Sequence, residues 1–141
     1  MDALVKRGES VTVIDNLSTG DIRNIAAHID SGAVRFVEHD LLLDGWQEHL
    51  RDAGRIYHIA ADPDVRASAL HPEEVYIRNV HATVRVLEAM RMAGCTEIVF
   101  TSTSTVYGEA DLIPTPEEYP RMEPISIYGG TKLACEAMIS A

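Results

Sequence analysis

Lysine is nearly missing from this chain. Of its 12 basic residues only Lys6 and Lys132 are lysines, so a lysine at a chemically meaningful spacing is less easily background. Cysteine is sparse too: Cys95 and Cys135 fit no metal-binding or redox spacing, and both are expected as reduced thiols. The six histidines are scattered singly, and no metal site is expected. No apolar run approaches the roughly 20 residues of a membrane span, and the opening residues carry no signal-peptide pattern. The expectation is a cytoplasmic protein with no membrane partner. Positive charge is in deficit: the net charge of −10 at pH 7 argues against nucleic acid or anionic lipid as a partner.

What is present alternates. The 141 residues are sized for one domain, 1–141, with 46% hydrophobic content for a core. Residues 1–7 read as the last turns of a helix that Gly8 ends. A β-branched strand over 10–15 closes on an acid, followed by a turn at 16–20 and a short helix over 21–28. A second strand is expected at 34–38, a helical segment at 46–51 and a third strand at 55–59. Pro72 opens a long helix reaching Ala93, capped by Gly94, whose stripe Tyr76, Val80, Val84, Leu87 and Met90 is expected in the core. A fourth strand at 97–102, a loop at 110–122 rich in proline and acids, and a final helix over 127–141 complete the chain. Strands alternating with helices predict an α/β fold, a Rossmann-like doubly wound parallel sheet.

In such sheets ligands bind at the carboxyl ends of strands. Asp15, closing the first strand, can accept both ribose hydroxyls of an adenosine and would repel a 2′-phosphate, which favours NAD over NADP; the plainer reading is a helix or turn cap. Further on, the apolar Ile98-Val99-Phe100 spills into the hydroxyl cluster 101–105, and Tyr128 stands four residues before Lys132. On a helix these two share a face. An ammonium near a phenol favours the phenolate, which suits the phenol to act as a general base.

The strand-end hydroxyls followed by Tyr-x-x-x-Lys resemble the short-chain dehydrogenase/reductase superfamily, in its extended branch of NAD-dependent nucleotide-sugar epimerases and dehydratases. Further segments match in order along essentially the whole chain. Val13 to Gly20 (Val-Ile-Asp-Asn-Leu-Ser-Thr-Gly) is similar to the same segment in UDP-glucose 4-epimerases. Asp40-Leu41 matches the pair that holds adenine, and His58-Ile59-Ala60-Ala61, with Val65 and Ser68, resembles the segment whose small residues let the backbone approach the cofactor. Asn79-Val80-His81-Ala82-Thr83 resembles the family's Asn-Val-x-Gly-Thr, and Asn79 is read as a brace for the active-site helix or as an ordinary polar helix residue.

The resemblance implies roles. Thr103 would bind the substrate hydroxyl, Tyr128 would be the base, and Lys132 would grip the nicotinamide ribose. Asp15, Asn16, Ser18, Thr19, Gly20, Asp40, Leu41, Ile59, Ala60 and Ala61 would contact NAD with Tyr128 and Lys132, while Ser104 and Thr105 would line the sugar site beside Thr103. The substrate implied is a nucleotide sugar, most simply a UDP-hexose, and the complete enzyme a homodimer. Related 4,6-dehydratases carry Asp-Glu where Ser104 and Thr105 stand, so an epimerase is implied and not a dehydratase. The alternatives are a non-catalytic NAD- or partner-binding relative, or another dehydratase or reductase of the family.

One family feature is missing. The sequence contains no Gly-x-x-Gly-x-x-Gly, the turn whose amides and helix N-terminus cradle the pyrophosphate. The strand bearing that turn would sit in the middle of the sheet, and no substrate-binding half follows Lys132. The chain is therefore expected to be a fragment, lacking its first strand, weakly cooperative or aggregating, poor at binding NAD and inactive in isolation.

Overall fold

Val11-Thr12-Val13-Ile14 favours a pleated backbone because branched Cβ atoms crowd a helix and fit a sheet. In the computed structural model, which describes residues 1–141, this segment is β1 (Val11–Asp15). A short helix α1 (Asp2–Lys6) precedes it. Asp21 caps a 3-10 turn (Ile22–Asn24), its carboxylate accepting the Arg23 N–H at 2.9 Å, and α2 (Ala26–Asp30) follows. The single helix expected over 21–28 is thus two short pieces that meet at Ile25, whose backbone leaves the helical region at φ −122°. β2 (Val34–Glu38) pairs parallel with β1, from Val11 opposite Val34 to Asp15 opposite Glu38. The helical segment at 46–50 is a 3-10 helix that buries Trp46 and Leu50. Trp46 is 1% exposed, and its indole N–H donates to the Leu41 carbonyl at 3.1 Å. Residues Met1–Asp52 form one compact unit with Trp46, Val34 and Leu50 as its buried apolar centre.

The second unit, Ala53–Ala141, repeats the alternation. β3 (Ile56–His58) and β4 (Ile98–Phe100) pair parallel, Ile56 opposite Ile98 and His58 opposite Phe100. Both are shorter than the expected 55–59 and 97–102. α3 (Val65–Leu70), not anticipated as a helix, is capped by Asp64, whose carboxylate accepts the N–H groups of Arg66 and Ala67. The long helix expected from Pro72 is present as α4 (Pro72–Tyr76), a π-helical turn (Ile77–His81) and α5 (Ala82–Ala93). Gly94, in the left-handed region at φ +72°, ends it where a side chain would be strained. A 3-10 turn (Ser104–Tyr107) follows β4, and α6 (Ile127–Ser140) closes the chain.

The expected apolar stripe needs correction. Val80 and Met90 are buried, but Tyr76 is 53% and Val84 42% exposed. The inward face instead carries Val75, Asn79, Thr83, Val86 and Met90. Two of those five are polar, so a stripe chosen for apolarity falls on a neighbouring face; their polar atoms are paired inside, as described below.

The sheets have two strands each, ordered β1-β2 and β3-β4. An incomplete Rossmann fold without its central strand retains these two pairs. Every strand therefore has an open edge, and Val11, Val13 and Ile14 are only half-buried where a parallel sheet would normally cover them on both faces. No helix is long and apolar enough to cross a membrane. Each unit has its own core, and Trp46, the only tryptophan, reports the first one. In a urea titration, Trp46 fluorescence and far-ultraviolet dichroism, dominated by α4, α5 and α6, are expected to give different midpoints. Coincident transitions would contradict this.

Candidate functional site

In the first unit the carboxyl ends of β1 and β2 bring two expected ligand residues together. Asp15 accepts the Leu17 N–H at 2.7 Å through Oδ1, folding the turn back over its own carboxylate. Asn16 donates through Nδ2 to Asp40 Oδ2 at 3.0 Å, and the His39 N–H donates to the Asp15 carbonyl at 3.0 Å. Asn16, Glu38, His39, Asp40 and Leu43 line a shallow cavity of about 250 Å³. Gly20 lies so close to the Asp15 carboxylate that a Cβ there would stand 3.1 Å from Oδ1. The turn is thus closed down on the Asp15 carboxylate, an acceptor of the kind that ribose hydroxyls need. Ser18 and Thr19 are exposed on this turn, and Leu41 is half-buried with its carbonyl on Trp46. Glu38, His39 and Leu43 join the cavity without having been singled out in the sequence; their adjacency to Asp40 was the available signal.

In the second unit α6 carries both Tyr128 and Lys132, on one face as their spacing requires. Ser126 caps the helix by accepting the Gly129 N–H at 3.0 Å. The Tyr128 backbone is fixed on both sides: its N–H donates to Ser68 Oγ at 3.3 Å, and its carbonyl accepts the Thr131 hydroxyl at 2.7 Å. Thr131 Oγ1 in turn accepts from Asn79 Nδ2 at 3.1 Å. Asn79 also accepts the Asp62 N–H at 2.7 Å and donates to the Asp62 carbonyl at 3.1 Å. Asn79 therefore does brace the helix bearing Tyr128, by tying the segment after β3 to α6. Gly129 is buried against the hydroxyl turn, where a Cβ would lie 2.9 Å from both the Thr105 carbonyl oxygen and Pro124 Cβ. Only glycine lets the first turn of α6 approach the Thr105 backbone this closely. Thr103 caps the 3-10 turn through the Thr105 N–H, and its Oγ1 is 3.1 Å from Thr105 Oγ1. Ser104 is exposed and lines a second cavity of about 420 Å³ with Tyr107, Gly108, Ala110, Ile113 and Thr115. Ile59 and Ala60 are exposed just past β3, and Ala61 is half-buried.

Lys132 is 2% exposed, with Nζ 4.1 Å from the centroid of the Phe100 ring. Burial lowers its pKa, while the nearby Cys135 and Glu136 act to raise it. Beneath it lies a polar cluster the sequence did not reveal. The Thr83 hydroxyl donates to the Asn79 carbonyl at 2.6 Å, so its oxygen accepts from His58 Nε2–H at 2.9 Å. Cys135, fully buried, donates to Thr83 Oγ1 at 3.3 Å, and burial raises its thiol pKa. His58 is 3% exposed, and its pKa is pushed down to about 4, first by burial and then by the Lys132 ammonium.

A family model described as the NAD dependent epimerase/dehydratase family matches residues 1–141. The chain belongs to that family. UDP-glucose 4-epimerase of Corynebacterium glutamicum is 35% identical over 140 residues, covering 98% of this chain and 40% of the relative. Among solved structures, a UDP-N-acetylglucosamine 4-epimerase from Methanobrevibacter ruminantium superposes with a TM-score of 0.91 at 29% identity, over 99% of this chain and 44% of that one. A UDP-glucose-4-epimerase from Stenotrophomonas maltophila, solved with bound NAD and formylated UDP-arabinopyranose, gives a TM-score of 0.88 at 28% identity, over 97% and 42%. The chain spans about two-fifths of the length of the curated relatives it matches.

The buried His58 makes stability depend on acid. Above its ordinary pKa of 6.5 the imidazole is neutral whether the chain is folded or not. As pH falls from 6.5 towards 4 the unfolded chain takes up a proton that the folded chain resists, so stability is lost in that window. Between pH 7 and pH 5 the loss from this residue is expected to be about 2 kcal/mol. Urea unfolding of wild type and His58→Gln at both pH values checks it: the variant should lose distinctly less, and equal losses would contradict the assignment.

Proposed function

We propose that this chain is part of an NAD-dependent nucleotide-sugar 4-epimerase acting on a UDP-hexose, and that it carries the base, the ribose-holding lysine and the hydroxyl turn of that enzyme. The observation that carries the reading is Lys132: an ammonium buried one helical turn after Tyr128, on the helix that Gly129 seats against the Thr105 backbone. NAD, when bound, supplies the hydride acceptor and returns the hydride. Asp15, with Asn16, Ser18, Thr19, Gly20, Asp40 and Leu41 about it, would hold the adenosine end, and Ile59, Ala60 and Ala61 would let the protein backbone approach the cofactor. Thr103 would hydrogen-bond the sugar hydroxyl whose proton Tyr128 removes, while Lys132 would hold the nicotinamide ribose. Ser104 and Thr105 would flank the sugar. Neither is a carboxylate, so nothing at those positions can protonate a leaving hydroxyl, which supports epimerisation over dehydration.

The chain itself, residues 1–141, reads as a partial NAD-binding Rossmann domain. Its sequence has no glycine-rich turn to take a pyrophosphate, so on its own we expect it to bind NAD weakly and to be inactive. A cytoplasmic homodimer fits the reading: both cysteines are free, and Tyr76, Val84 and Met92 leave apolar surface exposed along the helix that runs from Pro72. In a complete enzyme carrying this segment, Tyr128→Phe should lower turnover of UDP-glucose by at least the ~10²–10⁴-fold typical of a lost general base, with NAD still bound. Unchanged turnover, or release of a 4-keto-6-deoxy sugar by the wild type, would end the proposal.

A further inference from the structure

The stretch between Tyr107 and α6 contains no regular secondary structure, and a proline- and acid-rich connection of this length is ordinarily among the most mobile parts of a domain. Tyr119 departs from that pattern. It is 6% exposed while its neighbours on both sides are exposed. Its hydroxyl donates to Asp111 Oδ1 at 2.8 Å and accepts the Asp111 N–H at 3.2 Å, so one phenol holds both the side chain and the backbone of a residue eight positions earlier. The Arg121 guanidinium donates to the other Asp111 oxygen at 2.5 Å and reaches the phenol oxygen at 3.3 Å. The Tyr119 hydrogen bond first, and then the Arg121 charge, keep the Asp111 carboxyl below the usual carboxylate range. The Tyr119 ring meets Tyr107 edge-on, with centroids 5.9 Å apart and planes at 89°, which anchors the closed segment to the turn that Thr103 caps.

What the closure positions is a wall. Ala110, Ile113 and Thr115 line the cavity of about 420 Å³ together with Ser104, Tyr107 and Gly108. No charged side chain lines it, although the chain carries a net charge of −10. The charged side chains of the clasp itself, Asp111 and Arg121, are paired with each other.

We propose that Tyr119, Asp111 and Arg121 form a clasp that holds residues 110–115 as a preformed wall of the cavity at Ser104, which makes Tyr119 a positioning residue and leaves the cavity for an uncharged part of the ligand. That the ligand is a nucleotide sugar rests on the function proposed above; the clasp does not. Tyr119→Phe keeps the ring contact with Tyr107 and removes all three hydrogen bonds of the phenol, and Asp111→Ala, at an exposed position, removes the carboxylate acceptor without touching a packed ring. Amide hydrogen exchange of the chain tests the clasp. Both variants are expected to speed exchange across 109–122 by about tenfold or more while α5 is unchanged. Should Tyr119→Phe loosen the whole second unit, Asp111→Ala decides, and unchanged exchange over 109–122 in that variant overturns the clasp. In a complete enzyme carrying this segment, Asp111→Ala is expected to raise KM for UDP-glucose about threefold or more with kcat within about twofold, because the wall is loosened and the base is not. A fall in kcat at unchanged KM overturns the positioning role. If the wild-type enzyme turns over no nucleotide sugar, the proposed function fails and the exchange result still decides the clasp.

Discussion

Burying an ammonium is unfavourable, and the second unit is arranged so that Lys132 can be buried nonetheless. Water is replaced by the face of Phe100 and by a helix whose neighbours, Thr131 and Cys135, are themselves satisfied by α4–α5 through Asn79 and Thr83. A cation over an aromatic face recovers part of the lost hydration. The remainder is a cost to the charged form: burial lowers the lysine's pKa, and the stability withheld below that lowered value returns as pH rises through it. Selection for stability alone would favour an apolar residue of this length. The position therefore reads as chemistry that the fold tolerates, in the way perturbed groups concentrate at functional sites.

The other constraints follow from holding α6 in that place. Its first turn must approach the Thr105 backbone, which Gly129 permits. Its flank must meet the segment after β3, which Asn79 secures through Thr131 and both backbone groups of Asp62. The π-helical turn at Ile77–His81 is where Asn79 sits, and such turns interrupt the regular ladder at positions that serve a site. His58, at the end of β3, completes the layer as a neutral imidazole donating to Thr83. The first unit shows the same logic at smaller scale: Asp15 and Asp40, at the ends of paired strands, are joined through Asn16 while the Leu17 turn shapes the acid's surroundings.

Much of this was legible in the sequence where local patterns decide. The β-branched run ending at Asp15, the Pro72 start, the Gly94 stop, and the helix holding Tyr128 and Lys132 all stand as expected. The sequence was silent where long-range pairing decides. Asn79 and Thr83 are buried because partners 17 to 52 residues away satisfy them, and no apolar periodicity marks such positions. Tyr119 looked like one more loop residue because its partner, Asp111, is visible only once the loop closes. α3 was hidden in a family-like segment read for its small residues, although Asp64 placed before it is an ordinary capping signal. The sheet order depends on which neighbours a strand has, and with two strands per sheet local patterns give little warning of an open edge.

The claim at the centre is that Lys132 is kept for chemistry against the interest of stability. Its most direct test is chemical denaturation of Lys132→Met beside the wild type at pH 7, a substitution that keeps an unbranched side chain one atom shorter and removes the charge. The account predicts a midpoint equal to or above that of the wild type. A clearly lower midpoint would show that the ammonium supports the fold, and would contradict it.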